Sequence, residues 1–228
     1  MNKKITILIV GGTGFIGYHL AKRSLKEGWN VTSISTRRPK KIRNISSVKY
    51  IICDITNKNI LKKKIKKDYH FVVNLGGYVD HSDKKKTYIS HYVGLKNLAN
   101  IFKKRKIKSF VQVGSCAEYG KVKSPQKENF NCKPISSYAR AKNNSTNFMK
   151  KLSIKKNFPG TVLRFYQVYG PKQDANRLIP IVINNCIKNK KFPCSDGKQF
   201  RDFLYIDDAI EAIIKSLKNK KSTGEILN

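Results

Sequence analysis

Acidic residues are scarce in this chain: 14 Asp and Glu stand against 48 Lys and Arg in 228 residues, a formal net charge of +34. Taken alone, that imbalance points to nucleic acid or an anionic membrane surface. Arginine is scarce too, at nine residues against 39 lysines, and specific phosphate readers favour the bidentate guanidinium fork. The excess therefore reads as lysine spread over solvated faces by a composition bias, with no specific nucleic-acid partner, though it would steer anionic ligands inward. The five cysteines, Cys53, Cys116, Cys132, Cys186 and Cys194, are odd in number and form no C-x-x-C pair, which argues against a disulfide framework or a zinc site. Long apolar runs are missing as well. The first, at residues 5–10, meets glycines at once and is too short for a signal-peptide core or a membrane span. The expectation is a cytoplasmic protein with no metal and no membrane partner. What remains, 39% hydrophobic and 10% aromatic residues, is the composition of a globular chain with a real core.

Short β-branched runs alternate with stretches of helical period. Strands are expected at 5–10, 31–35, 50–53, 71–75, 110–113 and 161–165, and helices at 15–27, 57–67, 88–104 and 136–156. Continuous apolar strands between helices imply an α/β fold with a doubly wound parallel sheet. The lysine runs at 62–67 and 103–108 read as solvated helix faces and ends. After 165 the texture changes to loops, a helix over 177–189, an extended piece at 200–205 and a helix opened by Asp207 and Asp208, where the dipole favours acid. Residues 1–165 are thus expected to bind a cofactor. Residues 166–228 are expected to form a partial region over the carboxyl edge of the sheet, and its closing residues 224–228 read as the opening of one more strand in a truncated chain.

Gly11, Gly12, Thr13, Gly14, Phe15, Ile16 and Gly17 follow the first strand and open the first helix. The glycines fit both G-x-G-x-x-G and G-x-x-G-x-x-G, the spacing that lets a pyrophosphate reach a helix N-terminus. The acidic residue that bonds the ribose hydroxyls of NAD about twenty positions on is missing. Ser35, Thr36, Arg37 and Arg38 stand there instead. Two guanidiniums suit a 2′-phosphate, so NADP(H) is favoured over NAD(H).

Tyr138 and Lys142 lie four apart on one helical face, just after a strand ending at Ser115, and Ser115 opens an S-x-x-x-Y-G segment closing at Gly120. With the glycine loop, Val168-Tyr169-Gly170-Pro171, and Arg201-Asp202-Phe203 before Asp207-Asp208, these motifs resemble the extended short-chain dehydrogenase/reductase family, and within it the nucleotide-sugar epimerase/dehydratase group. The resemblance covers essentially the whole chain. It implies a Rossmann-like fold, a nucleotide-diphosphate sugar as substrate and a homodimer. Tyr138 would exchange a proton with a sugar oxygen, Lys142 would stabilise its phenolate and hold the nicotinamide ribose, and Ser115 would orient the same sugar oxygen. By the same likeness Asp54 and Ile55 would meet the adenine, Leu75, Gly76 and Gly77 would line the cofactor, and Asn176, Arg177 and Arg201 would meet the diphosphate. Asp54 also reads as a turn residue before Thr56, and Arg201 as an ion-pair partner of Asp202 or Asp207.

Departures from the family pattern narrow the chemistry. Sugar 4,6-dehydratases of this kind carry an acidic pair just after the position of Ser115, where this chain has Cys116 and Ala117. Alanine cannot transfer a proton, so dehydration is disfavoured, and a 4-ketoreductase of a nucleotide-linked 4-keto-6-deoxyhexose is expected ahead of a 4-epimerase. The Glu118-Tyr119-Gly120 form points the same way. His91 stands in place of a usual Asn, either altering the proton relay or simply lying on the surface, and Gln167 replaces a common Asn. A non-catalytic NADP-binding or nucleic-acid-associated relative is the alternative from another class; Ser115, Tyr138 and Lys142, all intact, argue against it.

Overall fold

The first strand shows how the fold is assembled. In β1 (Thr6–Val10), Ile7 and Ile9 face one hydrophobic layer while Leu8 and Val10 face the other, as the two-residue period of a strand requires. In this computed structural model, which describes residues 4–228, β1 is an interior strand of a seven-stranded sheet, flanked on both sides. The other strands of the sheet, in chain order, are β2 (Asn30–Ser35), β3 (Lys49–Ile52), β4 (Phe71–Asn74), β5 (Ser109–Val113), β6 (Gly160–Leu163) and, last, β9 (Ile226–Leu227). The order across the sheet is β3-β2-β1-β4-β5-β6-β9, and every pairing is parallel. The order reverses beside β1, the switch point where open α/β sheets bind ligands beyond their carboxyl ends. This is the Rossmann-like α/β architecture.

Helices cover both faces. On one lie α1 (Phe15–Lys26) and α7 (Ile206–Lys218), whose Ile210, Ile213 and Leu217 pack with Leu20 and Ile7. On the other lie α2 (Lys58–Lys64), α4 (Gly94–Phe102) and α5 (Ser137–Lys156), with Leu61, Leu98 and Met149 against Leu8 and Val72. Two expected helices differ in extent. The one expected at 88–104 begins earlier, as α3 (Lys84–Tyr88), capped by Asp83 and continued into α4 through a π-helical turn at Ile89–Val93. Its solvated lysines hide the apolar period on which such a reading depends. The one expected at 57–67 ends at Lys64.

The segment after 165 is not one unit. Residues 167–205 carry a small parallel pair, β7 (Gln167–Tyr169) with β8 (Phe203–Tyr205), and α6 (Leu178–Ile187), which has no buried residue. From Ile206 the chain returns to the main sheet, since α7 shares its core and β9 pairs with β6. The expected boundary at 165 therefore separates only the middle of that stretch. The physical reason is the amphipathic α7, which has an apolar face to bury. A strap joins the small pair to the cofactor side: Arg43, buried, donates to Lys172 O at 3.0 and 2.6 Å, and Lys172 Nζ donates to the Tyr18 hydroxyl at 2.8 Å.

Candidate active site

At the end of β1 the site is made by omitting side chains. Gly11 has φ +81° and its amide donates to Ile34 O at 2.7 Å, drawing the turn onto β2. A Cβ at Gly12 would lie 2.4 Å from Ser33 Oγ, and one at Gly17 2.3 Å from Gly11 O. Neither position accepts any residue with a side chain, so α1 meets the strand closely and presents its first-turn amides, with no acidic residue in that turn. That leaves the dipole free to take an external anion. The turn opens on a cavity of about 600 Å³, within the range of cofactor sites. Gly11, Thr13 and Gly14 border it on one side, Ser35, Thr36 and Arg37 on a second, Asp54 and Ile55 on a third, and Leu75, Gly76 and Gly77 on a fourth.

The expected cofactor residues thus divide. Most border one cavity, Arg37 among them, and its glycine cradle fits a dinucleotide pyrophosphate. Gly12, Phe15, Ile16, Gly17, Tyr138 and Lys142 are outside its lining; Gly12 and Gly17 supply the close packing. Arg38 is exposed and does not border the cavity. Asp54 borders it and also fills the turn role, its Oδ1 accepting from Thr56 N–H at 2.8 Å.

Around β5 and α5 the site is made of buried polar groups. Ser136 caps α5 by accepting from Ala139 N–H at 3.1 Å, which fixes the helix start at Ser137, one residue before Tyr138. One turn on, Lys142 is buried, donates from Nζ to Val113 O at 2.7 Å, and lies 5.8 Å from the Tyr138 ring. Burial lowers its pKa to about 8, opposed by the negative charge of Glu118. Burial raises the Tyr138 phenol above its ordinary value, and a hydrogen bond with Ser115 works against that rise. Ser115 itself is buried at the end of β5 and accepts from Ala117 N–H at 3.2 Å. Ser115, Tyr138 and Lys142 therefore converge at the carboxyl edge of the sheet. Cys116 is half-buried and its thiol is pushed up by burial, so it is neutral beside the phenol, and Ala117 brings no proton.

Two imidazoles adjoin the phenol, of which only His91 was marked by the family pattern. His81 stacks on Tyr138 at 4.2 Å between ring centroids, and His91 meets the same ring edge-on at 5.0 Å. The surface reading of His91 is corrected: it is 7% exposed, because the π turn rolls it inward beneath Gly77, where a Cβ would strike the imidazole. Its Nε2 lies 3.2 Å from Tyr78 O, so Nε2 carries the proton and Nδ1, buried, is left as an acceptor. Burial and the Lys142 charge lower its pKa to about 3. Glu118 and Arg164 form a buried pair behind Ser115. The S-x-x-E spacing of a capping box was available as a signal for Glu118; none existed for His81.

The residues expected to meet the diphosphate are less gathered. Arg177 caps α6 and is exposed, yet its charge acts on both His81 and Tyr138. Asn176 is exposed beside it. Arg201 is exposed, with Nη1 3.5 Å from Phe200 O, and forms no ion pair with Asp202 or Asp207 among the described residues. Among the described residues no helix is long and apolar enough to cross a membrane, and no cluster of His, Cys, Asp and Glu could hold a metal ion.

A switch-point cavity with a glycine cradle, and a Ser, Tyr and Lys beside it, define a dinucleotide-binding enzyme fold of the short-chain type. The chain belongs to the NAD dependent epimerase/dehydratase family, whose profile matches residues 7–228. It is 28% identical over 97% of its length to a dTDP-D-glucose 4,6-dehydratase of Dictyostelium discoideum, of which it spans 57%. It is also 28% identical over 97% of its length to a putative UDP-glucose 4-epimerase of Methanocaldococcus jannaschii, spanning 75% of that protein. Among solved structures it resembles the UDP-glucuronic acid 4-epimerase of Bacillus cereus in complex with UDP-glucuronic acid and NAD, at 25% identity and TM-score 0.85, covering 98% of this chain and 77% of that one.

Proposed function

We propose that this chain is an NAD(P)-dependent enzyme acting on a nucleotide-linked sugar, and specifically a reductase of a 4-keto-6-deoxyhexose nucleotide that uses NADPH. The observation that carries the reading is the proton inventory at the end of β5. Tyr138 is held as a neutral phenol, poised to donate, while the two positions after Ser115 hold a neutral thiol and an alanine. One proton donor suffices to reduce a ketone; eliminating water needs further acid and base groups.

Gly11, Thr13 and Gly14 would hold the pyrophosphate at the α1 N-terminus and Arg37 a 2′-phosphate. The bound dihydronicotinamide would supply the hydride. Ser115 would fix the C4 carbonyl oxygen by hydrogen bonding. Tyr138 would give its proton to that oxygen as C4 becomes a secondary alcohol, and the Lys142 ammonium would stabilise the phenolate left behind. Arg177, close enough to act on Tyr138, would meet the diphosphate.

A second reading, 4-epimerase, is favoured by the likeness to an epimerase structure that holds NAD. The two separate by stoichiometry. With a dTDP-linked 4-keto-6-deoxyhexose, a reductase consumes one NADPH per alcohol formed. With a UDP-, GDP- or dTDP-linked sugar that carries a C4 hydroxyl, an isomerised nucleotide sugar formed with no added cofactor would instead make the chain an epimerase. Replacing Arg37 by Asp and Arg38 by Ser is expected to shift preference towards NADH, and an unchanged preference would remove the argument for NADPH.

A further inference from the structure

Among the described residues Glu118 is the only buried carboxylate, at 0% exposure. Both of its oxygens are committed. Oε1 accepts from the Ser115 backbone N–H at 2.9 Å, and Oε2 accepts from Arg164 Nε at 2.9 Å. Arg164 is itself 3% exposed, with its guanidinium 4.6 Å over the Tyr119 ring. Room for the carboxylate comes from Gly114, where a Cβ would sit 2.6 Å from Oε1. A buried ion pair is a poor stabiliser, often no better than apolar residues of the same shape. This one stands directly behind the turn that presents Ser115.

We propose that Glu118 is a positioning residue for the reaction: held by Arg164, it locks the Ser115 backbone at the end of β5 and supplies the buried negative charge that faces Lys142 and Tyr138. The inference rests on the function proposed above. Lys142 is faced by Glu118 from the turn after β5, by His91 from the π turn and by His81 from the β4–α3 loop. Tyr138 is faced by Glu118 and Cys116 from that same turn, by Arg177 from the start of α6, and by the two imidazole rings. Cys132 adjoins the pair from the Arg164 side. Glu118 is the only carboxylate in this set. Burial has already lowered Lys142 to about 8 and Glu118 opposes that fall, so without it the ammonium would lose its proton closer to neutrality.

The test compares wild type with the double variant Glu118→Gln/Arg164→Gln, which removes both charges while an amide oxygen still faces Ser115 N–H and the two amides can pair. The alkaline limb of the kcat profile is expected to move down by about one pH unit, with the KM for the sugar nucleotide changing less than about threefold. Titration of isotope-labelled lysine ε-methylenes is read alongside. Exposed lysines titrate above pH ~10, so the Lys142 signal stands alone near 8, vanishes in Lys142→Met, and should move down in the double variant. This reading does not depend on turnover: if the wild type reduces no sugar nucleotide yet the signal moves, the proposed function fails and the electrostatic role of Glu118 stands. A folded double variant with both titration and profile unchanged would overturn the role. If the double variant does not fold, Glu118→Asp keeps the charge but shortens its reach to Ser115. It should leave the alkaline limb in place and lower kcat by about tenfold, and an unchanged kcat would overturn the positioning role.

Discussion

At the β1–α1 turn the site consists of backbone brought close by missing Cβ atoms, whereas around β5 and α5 it consists of charged and aromatic side chains taken out of water. The first is a cradle whose geometry is local, fixed within Gly11 to Gly17 and the strand beside it. The second depends on groups far apart in sequence: Glu118 meets Arg164, and Tyr138 meets His81 and His91. The contrast suits the work proposed for each end. A diphosphate is met by amides and a helix dipole at little cost in side-chain order, while proton transfer needs groups whose ionisation is tuned by burial and neighbouring charge.

The sharpest way to break the comparison is to put a side chain where none fits. In Gly17→Ala the new Cβ would meet Gly11 O, a backbone atom that cannot swing aside. Cofactor affinity measured by fluorescence titration should fall by about a hundredfold or more, with a loss of about 1–3 kcal/mol in stability from overpacking. Near-normal affinity would mean that the cradle is not built by close approach.

A smaller effect is expected at the catalytic end, in the pH dependence of stability. His91 stays neutral in the folded chain down to about pH 3, against an ordinary imidazole value of 6.5. The unfolded chain therefore takes up a proton first, and the folded state loses stability as pH falls from about 6.5 towards 3, by at most a few kcal/mol. Replacing His91 with Asn should flatten the dependence of the unfolding midpoint across that window. Parallel curves for the two proteins would show that the buried imidazole carries no such linkage.

The same contrast explains how much could be read before the fold was known. The six leading strands, the glycine loop and the Tyr138–Lys142 pair were legible because each rests on short-range spacing, while Ser115 was joined to that pair by the family resemblance. The burial of His91 was not, since it depends on a π turn within lysine-rich helices. Nor was the return of 206–227 to the main sheet, which rests on the pairing of Ile226 and Leu227 with Val162 and Leu163 across more than sixty residues. The part of Glu118 was half-visible: its spacing from Ser115 marks a cap, but only the fold brings Arg164 to its other oxygen. Arg37 and Arg38 were indistinguishable in sequence, and in the fold just the first borders the cavity.

If the two ends do separate work, one substitution should uncouple them. In Tyr138→Phe the ring that packs against His81 and His91 remains and just the phenolic hydroxyl is lost. NADPH affinity should match the wild type while oxidation of NADPH with a dTDP-linked 4-keto-6-deoxyhexose falls by about a thousandfold or more. Turnover retained in Tyr138→Phe, with the wild-type enzyme active in the same assay, would contradict the account.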